Sequence, residues 1–140
     1  MTVYSIEIEH IIESIWRHIQ QIKLHRTHIV YVFLKYLIIK NDNFIKGSKK
    51  SDTVQIIDEI SNADIMAISV GQENIREVAV TIAKGIVERY KKRPGYPLDI
   101  ILAENLRNAA AMFGKALDAL LGNSLDRARY VGLIETSIGK

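Results

Sequence analysis

Three short apolar runs, ADIMAISV (63–70), LDIILA (98–103) and YVGLIETS (130–137), alternate with segments whose apolar residues recur at helical spacing. Short apolar runs bounded by turn residues suit strands buried on both faces, because a half-buried strand would alternate with polar residues. Between the first two runs, Ile75, Val78, Ala79, Ile82, Ile86 and Tyr90 mark the stripe of a helix over Glu73–Lys91. Arg93-Pro94-Gly95-Tyr96-Pro97 then stops it, since proline cannot continue a helix. Between the second and third runs, Leu106–Leu121 is an alanine-rich amphipathic helix that Gly122-Asn123 ends. Upstream, Thr53–Ser61 has the spacing of a short helix, with Ser51 or Asp52 available as its N-cap. This alternation predicts an α/β fold of parallel βαβ units under two helical layers.

Composition narrows the function classes. A chain of 140 residues, 48% hydrophobic and 25% charged, makes one ordinary globular domain. With no cysteine there is neither a disulfide framework nor a thiolate metal site, which fits a reducing cytoplasm. The longest apolar stretch, HIVYVFLKYLII (28–39), carries Lys35 and is shorter than the roughly 20 residues of a membrane span. MTVYSIEIEH lacks the basic-then-apolar order of a signal peptide. Net charge is only +3, and the clusters Lys46–Lys50 and Lys91–Arg93 contain no aromatic residue, so they read as solvated loops and not as a nucleic-acid surface.

The first fifty residues follow the pattern less closely. Val3–Ile8 alternates like a short strand, and Ile8, Ile11, Ile12, Ile15, Ile19 and Ile22 mark an amphipathic helix from about Glu9 to Ile22. His28–Ile39 suits strand or helix, and its β-branched and aromatic content favours strand. Asn41–Ser51 is polar and predicts a loop. Neither G-x-G-x-x-G nor G-x-x-x-x-G-K-[ST] occurs, and the first forty residues hold no glycine.

From Asp64 onward the chain resembles the mannitol dehydrogenase family, in particular its mannitol-1-phosphate 5-dehydrogenase branch. The likeness rests on ADIMAISVGQENI, VAVTIAKGIVERYKKRPGYPLDIILAEN, LRNAAAMFGKAL and VGLIETSIGK, in family order and over roughly residues 60–140. It implies NAD-dependent hydride transfer between a sugar alcohol and a ketose, with NADP as the other cofactor candidate. It also implies a partial Rossmann-like sheet over 51–140 and an atypical segment over 1–50, hence an incomplete cofactor domain. The family's glycine-rich loop and ribose-binding acidic residue have no match in 1–50, and its catalytic lysine belongs to a second, helical domain.

The candidate site residues end the three runs. In open α/β sheets ligands lie beyond the carboxyl ends of the strands. Gly71 after Val70 would let a flat cofactor approach the backbone, although glycine is also common in ordinary strand-to-helix turns. Asn105 matches the family's oxyanion asparagine, whose amide N–H stabilises charge developing on the carbonyl oxygen. It is equally suited to N-cap the following helix. Glu104 falls beside a helix N-terminus, where a carboxylate is favourable and supporting, and the resemblance adds it to the cofactor site. Glu135, Thr136 and Ser137 would line the same crevice. His18, His25 and His28 lack a completing carboxylate and read as solvated or capping residues, so no metal site is expected. Lys84 and Lys115 read as surface charges.

The expected partners are a sugar alcohol or sugar phosphate and a second copy of the chain, with neither nucleic acid nor membrane. The rival from another class is a non-catalytic interaction module, which an exposed apolar edge at 28–39 would favour.

Overall fold

Strands this apolar must pair with one another and be roofed by helices, and the computed structural model shows how they do so. It describes residues 29–33, 36–40, 45–49, 53–103 and 107–136. In chain order the elements are β1 (Ile29–Phe33), β2 (Tyr36–Lys40), β3 (Ile45–Lys49), α1 (Thr53–Asn62), β4 (Ile65–Ser69), a 3₁₀ turn (Gln72–Asn74), α2 (Ile75–Lys92), β5 (Leu98–Leu102), α3 (Ala109–Leu121), α4 (Arg127–Tyr130) and β6 (Val131–Glu135). All six strands form one sheet in the order β3-β2-β1-β4-β5-β6.

The three expected parallel strands are neighbours: Ile68 pairs with Leu102, and Leu102 with Glu135. β1 extends the parallel set by pairing with β4, Val30 opposite Met66. The single sheet thus runs across the residue-50 boundary. His28–Ile39 does not form one strand. It folds as two antiparallel strands, with Val32 opposite Leu37. The polar segment expected as a loop supplies β3, paired antiparallel with β2 from Tyr36–Lys49 to Lys40–Ile45. Ladder hydrogen bonds from β2 override its turn-like composition, since strand propensity is weak beside tertiary pairing. The expected strand at Val3–Ile8 and helix at Glu9–Ile22 lie outside the described residues.

Helix ends follow local chemistry. In α2 the first turn carries Glu77 and the last carries Arg89, Lys91 and Lys92, as the helix dipole favours. Gly122 closes α3 at φ 53°, its N–H donating to Asp118 O at 3.0 Å. Two expectations shift. α2 is preceded by the 3₁₀ turn, so it begins at Ile75 and not at Glu73. α3 begins at Ala109 instead of Leu106, with Asn108 as its N-cap residue in the left-handed region at φ 61°. Asn108 makes no side-chain cap hydrogen bond, and Asn105, considered for a capping role, lies outside the described residues.

The core lies between the sheet and the helices, where Met66, Ile68, Ile100, Leu102 and Val131 join Ile60, Ile82, Ile86, Phe113 and Leu117. Gly85 brings α1 and α2 close together: a Cβ there would stand 2.8 Å from Ile60 side-chain atoms. The buried stripe of α2 ends on Arg89 (1% exposed) while Tyr90 is exposed, the reverse of the sequence expectation. The reason is at the amino edge of the sheet. The Arg89 guanidinium donates to Ala63 O, to Ile60 O at 3.4 Å, to Tyr96 O at 3.3 Å and to Pro97 O at 3.5 Å. It thereby ties the end of α1 to the loop entering β5. Tyr130 Oη donates to Arg93 O at 2.8 Å beside it. Burial lowers the Arg89 pKa and raises that of Tyr130. Among the described residues no helix is long and apolar enough to cross a membrane.

Candidate crevice at the carboxyl edge of the sheet

Because β4, β5 and β6 run parallel and in register, the residues that follow them emerge at one edge. Val70–Gly71, Ala103 and Thr136 all lie there, and Ala103 N–H donates to Ile68 O at 2.9 Å, carrying the ladder one residue past β5.

Gly71 has φ 83° and ψ 153°, a region essentially closed to residues with a Cβ. Space is not the constraint, since a Cβ would meet only Glu73 Oε1 at 3.4 Å. The conformation turns the chain from β4 into the 3₁₀ turn, and Asn74 latches it. Its Nδ2 donates to Val70 O at 2.8 Å and its backbone N–H to Gly71 O at 3.2 Å. The Val70 side chain is buried in the core.

On β6, Thr136 Oγ1 donates to Leu102 O at 3.0 Å, which fixes the end of β6 to the end of β5. The hydroxyl oxygen keeps acceptor capacity. Glu135 Oε1 accepts from Ala110 N–H at 2.8 Å, placing a carboxylate in the first turn of α3, where the helix dipole favours it. Glu104, Asn105 and Ser137 lie outside the described residues. Lys84 and Lys115 are exposed, as expected of surface charges.

Sequence reasoning missed Asn74 and the clamping role of Glu135. The signal for the first was present, since an asparagine three residues after a strand-ending glycine reaches back to the turn. The second pairs residues 25 apart in sequence and had no local signal.

A groove of about 830 Å³ opens between α2 and α3 from Gln72 to Leu120, with Ile75, Val80, Met112 and Ala116 among its lining. Val70, Gly71, Ala103 and Thr136 are not among its described lining residues.

A dinucleotide needs a pyrophosphate grip, normally a glycine-rich turn from a strand into a helix N-terminus. The described residues do not fit that requirement. β1, the strand beside β4, leads into antiparallel β2 and not into a helix. The one βα turn at this point of the sheet carries the Glu73 carboxylate beside Gly71, which disfavours an anion. What the edge does offer is a strained glycine turn and the Thr136 hydroxyl.

The sequence matches the family model described as the mannitol dehydrogenase Rossmann domain over residues 4–139. The match reaches well before the motifs that carry the resemblance and takes in most of the first fifty residues. A mannitol-1-phosphate 5-dehydrogenase of Aureobasidium melanogenum is 32% identical over 94 residues, covering 64% of this chain and 24% of that protein. The chain thus spans about a quarter of the length of this curated relative.

Proposed function

The chain belongs to the mannitol dehydrogenase family through its Rossmann domain, and from that premise we propose that it serves NAD-dependent hydride transfer between a sugar alcohol and its ketose. The single observation that carries the reading is the common carboxyl edge, where the Gly71 turn, Ala103 and Thr136 end three neighbouring parallel strands. The relative's name supports mannitol 1-phosphate and fructose 6-phosphate as the substrate pair. A bound nicotinamide would supply the hydride acceptor, and the hydroxyl proton of the alcohol would go to a base. Asn105, by its family position, would stabilise the oxyanion, while an amide cannot take the hydroxyl proton.

This domain by itself is proposed to bind NAD weakly and to turn over no polyol. A pyrophosphate grip contributes several hydrogen bonds to charged oxygens, each on the order of 1.5–3 kcal/mol. Losing even two of them moves a micromolar site towards millimolar. An exposed apolar edge at 28–39 would have favoured the rival reading as an interaction module. Among the described residues β1 and β2 are interior strands, and the edge on their side is β3, whose sequence includes Lys46 and Lys49.

The test mixes purified chain with NAD and mannitol 1-phosphate, or NADH and fructose 6-phosphate, and follows absorbance while NAD and NADP are titrated by calorimetry. Weak binding that perturbs the Gly71 and Thr136 amide resonances supports the proposal. Steady turnover abolished by Asn105→Ala would refute the weak-domain reading. Millimolar NADH that leaves both resonances unmoved would refute the crevice itself.

A further inference from the structure

The crossovers β3–α1–β4, β4–α2–β5 and β5–α3–β6 all step the same way across the sheet, so right-handed connections put α1, α2 and α3 on one face. α2 is the middle helix of this layer and packs against both neighbours. Its outer side borders two apolar grooves, of about 830 and 520 Å³, which share Val80 and Leu120. Those two side chains are 41% and 46% exposed, in grooves lined also by Met112, Ala116 and Val87. Apolar residues left open together mark a surface that another body covers.

The charges on that outer side have an order. Glu77, Val80, Lys84, Val87 and Lys91 follow at steps of three and four residues, so they form one line along α2. All are exposed except Val87, which is half-buried. The line is acidic before Val80 and basic after it. The helix dipole accounts for Glu77 in the first turn and Lys91 in the last. It does not account for Lys84 in the middle of the helix, nor for two valines on the same line. Among the described residues Glu77 and Lys84 make no ion pair, whereas Lys91 pairs with Glu88 at 3.2 Å.

Such a line complements itself when it is reversed. Lay a second α2 antiparallel on the first, with Val80 against its own copy. Glu77, three residues before Val80, then falls opposite Lys84 of the second copy, four residues after it, and symmetry repeats the contact. Parallel alignment would set Glu77 on Glu77 and Lys84 on Lys84, which repel. We propose that a second copy of the chain docks on this face, α2 against α2 in antiparallel orientation about a two-fold axis at Val80. The interface is isologous, so the same patch serves both copies. Val80 and Leu120 supply its apolar centre, and the Glu77–Lys84 pairs fix its polarity. The inference rests on exposure and the order of charges, and does not depend on the polyol reading.

Sedimentation equilibrium on the full chain measures the dimer Kd for the parent and for charge reversals at these exposed positions. Glu77→Lys alone and Lys84→Glu alone each turn two attractions into repulsions, so each should raise Kd about tenfold. The double variant restores both pairs and should return Kd to near the parental value. An equal mixture of the two single variants should form a mixed dimer tighter than either variant alone. A monomeric parent, a Kd that neither reversal moves, or a double variant as weak as the singles would overturn the proposal. A second measurement uses the absence of cysteine from the chain. Val80→Cys, at the axis, should give a disulfide-linked dimer on mild oxidation. Val54→Cys, 78% exposed on α1, serves as the control and should cross-link several-fold more slowly. Cross-linking of Val80→Cys no faster than that of Val54→Cys would sink the idea.

Discussion

Arg89→Met removes a guanidinium from the buried end of α2 while keeping most of the apolar stem. Four carbonyls lose a donor, with different consequences. Tyr96 and Pro97 lie in an exposed loop, where water can replace the lost bonds. Ile60 O still accepts the Ala63 N–H at 3.3 Å. Ala63 O is the exposed liability in energetic terms only: its residue is 0% exposed, and a buried acceptor stripped of a charged donor costs about 1–3 kcal/mol. Against this, methionine avoids the desolvation cost of a buried cation, the same burial that lowers the Arg89 pKa. The net expectation is a loss of about 2 kcal/mol, or roughly 5–8 °C in Tm for a domain of this size. Arg89→Lys, which keeps a cation but not the fork, should lose about half as much. Urea and thermal unfolding followed by circular dichroism measure both, and amide exchange should show the loop at 93–97 opening first. A methionine variant as stable as the parent would refute the reasoning, because desolvation would then outweigh the four bonds.

Gly85→Ala should destabilise by about 1 kcal/mol: better helix propensity is outweighed by overpacking against Ile60, and Ile60→Val should relieve part of the loss in a double-mutant cycle. Gly71→Ala should cost about 1–3 kcal/mol through its positive φ, and should shift the Asn74 side-chain amide resonances as the latch to Val70 O is disturbed. Burial raises the Tyr130 pKa, so the folded state holds that proton more tightly than the unfolded chain. Its contribution to stability is complete below the ordinary tyrosine pKa of about 10 and is lost as pH rises through the higher folded value. Tyr130→Phe should therefore flatten the alkaline fall in stability. Exposed apolar residues, Ile134 on the edge strand and Val54 and Leu120 on the helices, favour self-association. Light scattering at tens of micromolar is expected to give a dimer or larger mass, and a monomer mass would count against it.

The parallel half of the fold was legible in the order of the residues alone. Apolar runs at 63–70 and 98–103 are largely buried on a helix-covered sheet, the run from 130 supplies its partly exposed edge strand β6, and 3.6-residue stripes between them form the crossovers. Proline and glycine punctuation was equally legible, because Pro94, Pro97 and Gly122 act through local backbone restrictions that need no distant partner. The common carboxyl edge was legible as a set of strand ends, since parallel strands of equal length must finish at one edge.

Only the tertiary structure decided the rest. β3 is a strand because β2 supplies its ladder, not because IKGSK favours one. Arg89 displaces Tyr90 from the buried face because carbonyls from two separate loops converge on it, a juxtaposition that sequence distance hides. The start of α3 moved from Leu106 to Ala109, and Glu135 from the far side of α3 occupies its first turn. For β3 and Arg89, hydrogen bonds between residues remote in sequence outweighed a local propensity, because leaving a polar group unpaired on folding costs more than a residue's preference for helix, strand or turn.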